Sequence, residues 1–145
     1  MQIRSISFSQ ARSIRREVLR PRGPESEIAY PGDAAESTQH FGAFEGDTLI
    51  AVATFLAEPC PEEVGTDAWR LRGMATIPAA QGRGVGGQLL LYGIAGVSRR
   101  GASVIWCYGR ASARSFYERH GFRALGDAFA LPHSGPHYLF IRRAG

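Results

Sequence analysis

Apolar residues recur along this chain with two spacings, about 2 and about 3.6, and the switches between them divide it into elements. Ile3, Ile6 and Phe8 predict a short opening strand. Ser7 or Ser9 then caps a helix through Ile14, Val18 and Leu19, which Pro21 stops. Residues 21–36 hold Pro21, Gly23, Pro24, Pro31 and Gly32, too many breakers for more than one short helical turn. Thr38 to Phe44 is strand-like, Glu45-Gly46-Asp47 is a hairpin turn, and Leu49 to Leu56 is an apolar antiparallel partner. The prolines of Glu58-Pro59-Cys60-Pro61-Glu62-Glu63 end that partner, because proline cannot donate to a ladder.

Trp69 to Ile77 forms the next strand. Val85, Leu89, Leu90, Ile94 and Val97 then mark one apolar face of a helix that Arg99, Arg100 and Gly101 close. Gly93 and Gly96 inside it each cost about 1 kcal/mol relative to Ala, so close packing against a neighbouring backbone is expected. Val104 to Tyr108 follows as a strand parallel to 69–77, since a helix makes the crossover between them. Ser112 to His120 is a further helix. Arg123 to Ala130 and His137 to Arg142 make a final antiparallel pair, separated by Pro132, Gly135 and Pro136. The expected class is α/β with a mixed sheet: about seven strands flanked by three to four helices.

The chain has 145 residues, 44% of them hydrophobic, which suits one domain spanning 1–145. The first residues, MQIRSISFSQ, hold neither an apolar core nor a cleavage pattern, and no apolar run approaches 18 residues. A cytoplasmic protein that neither spans nor enters a membrane is expected. Cys60 and Cys107 lack metal-ligand spacing and read as free thiols, so no metal is expected. The net charge of +4 is spread along the chain without a nucleic-acid-binding pattern, so no nucleic-acid partner is expected. A modest positive field still favours a polyanionic cofactor.

The chemistry concentrates at Gln81-Gly82-Arg83-Gly84-Val85-Gly86-Gly87, where a strand turns into a helix. Glycines there let several backbone N–H groups face one anion with no Cβ in the way. Gly82, Gly84 and Gly87 satisfy the dinucleotide spacing G-x-G-x-x-G, yet no acidic residue stands about 20 residues on, which argues against a hydride-transfer enzyme. All 17 basic residues are arginines, so the lysine of a Walker loop is missing.

Gln81-x-x-Gly84-x-Gly86, after a strand ending Met74-Ala75-Thr76, resembles the acetyl-CoA pyrophosphate loop of the GNAT (GCN5-related) N-acetyltransferase superfamily. Ala113-Arg114-Ser115-Phe116-Tyr117-Glu118-Arg119-His120-Gly121-Phe122 is similar to a second segment of that family, A-x-x-F-Y-E-x-x-G-F. The resemblance implies the GNAT-like acyl-CoA N-acyltransferase fold and transfer of acetyl from acetyl-CoA to a primary amine by direct attack in a ternary complex. It implies that Gln81, Gly82, Arg83, Gly84, Val85, Gly86 and Gly87 hold the pyrophosphate through their backbone. Met74, Ala75 and Thr76 would pair with the pantetheine chain, and Tyr117 would be the general acid that protonates the leaving thiolate.

A small-molecule or protein amine is the implied acceptor, walled by residues 21–36 and the Glu58 to Gly65 segment; a homodimer is allowed. Many members carry a carboxylate on the strand before the loop, where this chain has Arg70, Leu71, Arg72 and Gly73. Glu58, His40 and His137 are the candidates for a general base, with ordered water as a substitute. Arg110 stands seven residues before Tyr117, where the family frequently has Asn. A CoA-binding sensor or structural domain without catalysis is the alternative.

Overall fold

Ser7 turns the first strand into the first helix. Its hydroxyl accepts from the Gln10 N–H at 3.1 Å, and its own N–H donates to Gln10 Oε1 at 2.9 Å, a reciprocal cap. Strand β1 is therefore Gln2–Ser5, and Phe8, expected in it, instead opens helix α1, Phe8–Ile14. The helix continues as a widened π turn over Arg15–Leu19 before Pro21. The computed structural model describes residues 1–63, 67–132 and 134–145. Within the loop that follows the helix, Glu25–Glu27 makes one short 3₁₀ turn, as the breakers predict.

Six more strands complete one mixed sheet: β2 Gln39–Glu45, β3 Thr48–Ala57, β4 Ala68–Thr76, β5 Val104–Arg110, β6 Arg123–Leu131 and β7 Gly135–Arg143. Their order is β1-β2-β3-β4-β5-β7-β6, and β4–β5 is the parallel pair, as the crossover argument requires. Gly135 and Pro136, expected in the last connection, pair instead with Leu131 and Ala130, because β7 starts there. Two other helices, α2 Val85–Ser98 and α3 Arg114–Arg119, complete the elements that frame the site.

Helix α2 lies on one face of the sheet and buries Leu89, Leu90, Ile94 and Val97. A Cβ on Gly93 would sit 2.1 Å from Phe55 Cε1, and one on Gly96 would sit 3.1 Å from Phe41 Cζ. The close neighbours are thus aromatic rings of β2 and β3, not the backbone expected from the glycines. Gly101, at φ +96°, ends the helix, and the Ala102 N–H closes onto Val97 O at 3.1 Å. No helix among the described residues is long and apolar enough to cross a membrane. Cys60 and Cys107 are buried free thiols.

The decisive feature for function is that β4 and β5 pair only over Ala68–Arg70 and Val104–Trp106. Beyond Arg70, β4 stays with β3 through an irregularity opposite Val52–Thr54 and leaves β5. Gly73, at φ +60°, lies in that irregularity, and a Cβ there would come 2.6 Å from Arg15 Nε. Arg15, fully buried, anchors the bend with bonds of 2.8 and 3.0 Å to both oxygens of Asp33. It also donates to Thr54 Oγ1 at 2.8 Å and to the Ile28 carbonyl at 2.9 Å. Removing one partner of such a pair costs about 3–5 kcal/mol, since the other charge stays buried.

Candidate active site

The gap between β4 and β5 opens on both sides of the sheet edge. On one side lies a cleft of about 990 Å³. It is lined by Met74, Ala75, Thr76, Gln81, Gly82, Gly84, Val85, Gly86 and Gly87, so nine of the ten residues assigned to the cofactor from sequence share one cavity. Arg83 is the exception: its side chain turns away to Glu45, at 2.9 Å, so its part in the loop is confined to the backbone.

The loop is shaped for an anion. Gly82 and Gly84 have φ of +78° and +77°, and a Cβ on either would meet no protein atom within 4 Å, so the space beside them is open. Gly84 caps the 14-residue α2 without a side-chain bond. The helix's first bond is from Gln88 N–H to Gly84 O, which leaves the N–H groups before it for a ligand. The Gln81 amide donates to the Thr76 carbonyl at 2.9 Å and ties the loop to the end of β4. A pyrophosphate therefore fits these residues on their own geometry.

Sequence reasoning missed part of this cleft. Val18 and Leu19, from the π turn, and Arg119 and His120, from the end of α3, also line it. His120 Nδ1 meets the Phe116 carbonyl at 2.7 Å, and the ring approaches so near that a Cβ on Gly87 would sit 2.5 Å from Nε2. Gly87 is required by this contact as much as by any ligand. The helical spacing from Phe116 to His120 placed both on one face and was the available clue.

On the other side lies a second cleft, of about 830 Å³. Leu19, Met74, Ala113 and Phe116 line both, so the two meet across β4. Ser26, Glu27 and Tyr30, from the breaker-rich loop, form one wall, as expected. Leu131, Pro132 and Ser134, from the β6–β7 turn, form the opposite one. Glu58 to Glu63, the described part of the Glu58 to Gly65 segment, does not wall this cleft. Trp106 Nε1 donates to the Glu58 carbonyl at 2.9 Å and packs with Cys60, drawing the segment to a separate hollow lined by Pro61, Glu62 and Glu63. Val64 and Gly65 lie outside the described residues.

Tyr117 borders the second cleft near the junction, its ring stacked on Phe140 with centroids 4.5 Å apart. A Cβ on Gly109 would come 2.5 Å from that ring, so glycine makes room for it. Burial raises the Tyr117 phenol well above its ordinary value, and the neighbouring Cys107 raises it further. Burial likewise pushes the Cys107 thiol up to about 12, against a smaller pull down from Tyr117. Both groups therefore hold their protons at neutral pH.

The three candidate bases part company. His40 is buried with both ring nitrogens engaged, Nδ1 at 2.8 Å from Thr54 Oγ1 and Nε2 at 3.0 Å from Asp33 O, so it belongs to the Arg15 network. Glu58 is paired with Arg70 at 3.0 Å and does not line the cleft. His137 does line it. Its Nδ1 lies 2.9 Å from the Gly135 carbonyl, which can only accept, so in the neutral ring the proton sits there and Nε2 is an acceptor. Among the described residues Nε2 has no partner.

The profile of the acetyltransferase (GNAT) family matches residues 7–122. The uncharacterised N-acetyltransferase YitI of Bacillus subtilis (strain 168) is 30% identical over 142 residues, covering 98% of this chain and 95% of its own length. An aminoglycoside 6'-N-acetyltransferase solved with coenzyme A has the same fold at a TM-score of 0.78 and 14% identity, over 99% of this chain and 97% of its own. An acyl-CoA N-acyltransferase from Pseudomonas aeruginosa superposes at a TM-score of 0.76 and 21% identity, over 97% and 98%.

Proposed function

This chain belongs to the GNAT acetyltransferase family and is an acetyl-CoA-dependent N-acetyltransferase, and from that premise we propose that it acetylates a primary amine by direct attack in a ternary complex. The observation that carries this reading is the meeting of the two clefts at Leu19, Met74, Ala113 and Phe116, with Tyr117, next to Phe116, lining the second.

Acetyl-CoA supplies the activated acetyl group as a thioester. The N–H groups at the start of α2 face its pyrophosphate, and the edge of β4 at Met74, Ala75 and Thr76, free of β5, offers main-chain groups to the pantetheine arm. Separate clefts for the two substrates hold them together without a covalent enzyme intermediate, which supplies orientation rather than new chemistry. His137 accepts a proton at Nε2 from the acceptor's ammonium, which leaves a neutral amine to attack the thioester carbonyl. The arginines lining the same cleft assist, because like charge and burial both lower an amine's pKa.

Tyr117 holds the balancing proton at its hydroxyl. As the new C–N bond forms and the C–S bond breaks, that proton passes to the sulfur, the nitrogen sheds its second proton to solvent as the amide forms, and solvent restores the phenol. The acceptor is a small molecule or an exposed protein amine. Thiol release measured over a panel of amines tests the proposal: amine-dependent release with an N-acetyl product and initial-rate patterns intersecting for both substrates is expected. Parallel patterns would replace direct attack with a covalent relay.

A further inference from the structure

The second cleft carries more positive charge than its own carboxylates neutralise. Of the charged residues lining it among the described residues, Arg20, Arg70, Arg72 and Arg110 are cationic and only Glu27 is anionic. Arg20 is paired with Glu27 at 3.0 Å, and Arg70 with Glu58 at 3.0 Å. Arg70 Nε is nonetheless buried without a hydrogen-bond partner. Arg72 and Arg110 make no ion pair and no side-chain hydrogen bond among the described residues.

Arg72 is the more telling of the two. It is half-buried on β4, and its guanidinium carbon lies over the Tyr30 ring, 4.1 Å from the centroid. A contact with a ring face leaves N–H groups of the fork available to an anion. Burial, and then the neighbouring Arg70, pull the guanidinium below its ordinary value, against smaller opposing pulls from Tyr30, Glu58 and Asp33, of which neither carboxylate bonds to it. Arg110, exposed at the end of β5, stands opposite His137 in the β5–β7 ladder, so it flanks the same space. A half-buried charge without a partner is unfavourable unless something else supplies the anion.

We propose that the acceptor carries an oxyanion acid group, a carboxylate or a phosphate monoester, beside its amine, and that Arg72 and Arg110 receive it. This rests on the assignment of the second cleft to the acceptor. A planar fork accepts either group through two parallel hydrogen bonds, and the acid group then orients the amine toward the junction of the clefts. Polyamines and other cationic amines are disfavoured by the same field.

Matched pairs test this: each proteinogenic α-amino acid against its carboxamide, and phosphoethanolamine against ethanolamine. Calorimetric titration into the protein–CoA complex is run beside the turnover assay. The acid member of at least one pair binds about ten- to a hundredfold more tightly than its neutral counterpart, the range of a charge-assisted hydrogen bond. The carboxylate and phosphate pairs tell the two acid groups apart. In Arg72→Gln and, independently, in Arg110→Gln, the preference shrinks about tenfold or more, with CoA affinity reporting that each variant is folded. Neutral members binding as tightly as acids, spermidine preferred over all, or a preference untouched in both variants would overturn the inference. Arginine-dependent binding of acids without acetyl transfer would sustain the inference and sink the proposed reaction instead.

Discussion

The ring of Tyr117 stacks on the ring of Phe140, centroids 4.5 Å apart and planes 25° from parallel, and the residue also lines the second cleft. In the proposed reaction, packing falls to the ring and proton transfer to the hydroxyl of one side chain. Tyr117→Phe keeps the stack, and any loss of stability is confined to the hydroxyl's bond, about 0.5–1.5 kcal/mol. Turnover should fall about 10²–10⁴-fold, with kcat taking the loss and CoA affinity nearly unchanged. Full turnover in this variant, with an acceptor for which chemistry is limiting, would leave solvent as the acid.

His137→Gln keeps a polar group of similar size and removes the basic nitrogen. If Nε2 accepts the amine proton, kcat/KM falls about 10²-fold or more while CoA affinity stays unchanged. An undiminished kcat/KM would leave ordered water to take that proton.

Gly84→Val places a β-branched residue at φ +77°, with no protein atom near its Cβ. Backbone strain of about 1–2 kcal/mol per residue and a side chain in the anion's approach act together. CoA affinity should fall at least about tenfold by calorimetry, while acid acceptors still bind the second cleft. Unchanged CoA affinity would remove the loop from the cofactor site.

Gly93→Ala sets helix propensity against packing. Alanine gains about 1 kcal/mol in an exposed helix, but here its Cβ would lie 2.1 Å from Phe55 Cε1. Overpacking wins, and the variant should be destabilised by about 1–3 kcal/mol in denaturant unfolding. Adding Phe55→Leu should recover part of the loss; a stabilised single variant would mean that the Phe55 ring swings aside freely.

Cys107 sets a pH dependence. Its folded value of about 12 lies above the ordinary 9.0, so the stability it contributes is complete below about pH 9 and is lost as pH rises toward 12. Over that window the unfolded chain releases a proton that the folded chain keeps, at about 1.4 kcal/mol per pH unit. Native protein at pH 8 should also resist thiol alkylation at this position. Denaturant unfolding of Cys107→Ala should therefore be less pH-sensitive between 9 and 11 than that of the parent, and equal slopes would contradict the burial argument.

Much of this molecule follows from local sequence. Ser7 and Gln10 cap α1, Gly46 and Asp47 turn the first hairpin, Gly101 ends α2, and Gln81 to Gly87 make a strand-to-helix turn. These features depend on residues a few positions apart, whose backbone preferences act before any tertiary contact forms. The glycine turn proposed to hold the cofactor was legible as a strand-to-helix turn for that reason, since its glycines and its helix start are contiguous.

Tertiary structure alone decided the rest. Nothing local to Gly73 announces that it accommodates Arg15, 58 residues earlier, or that β4 leaves β5 at that point. Glu58, His40 and His137 looked equivalent as bases until pairing consumed the first, a buried network the second, and neither engaged Nε2 of the third. Arg72 and Arg110 are ordinary basic residues in sequence; their unmatched charge exists only where β4, β5 and the loop at Tyr30 converge. Whether a charge is neutralised depends on what folding brings within hydrogen-bond reach, and sequence proximity does not encode that distance.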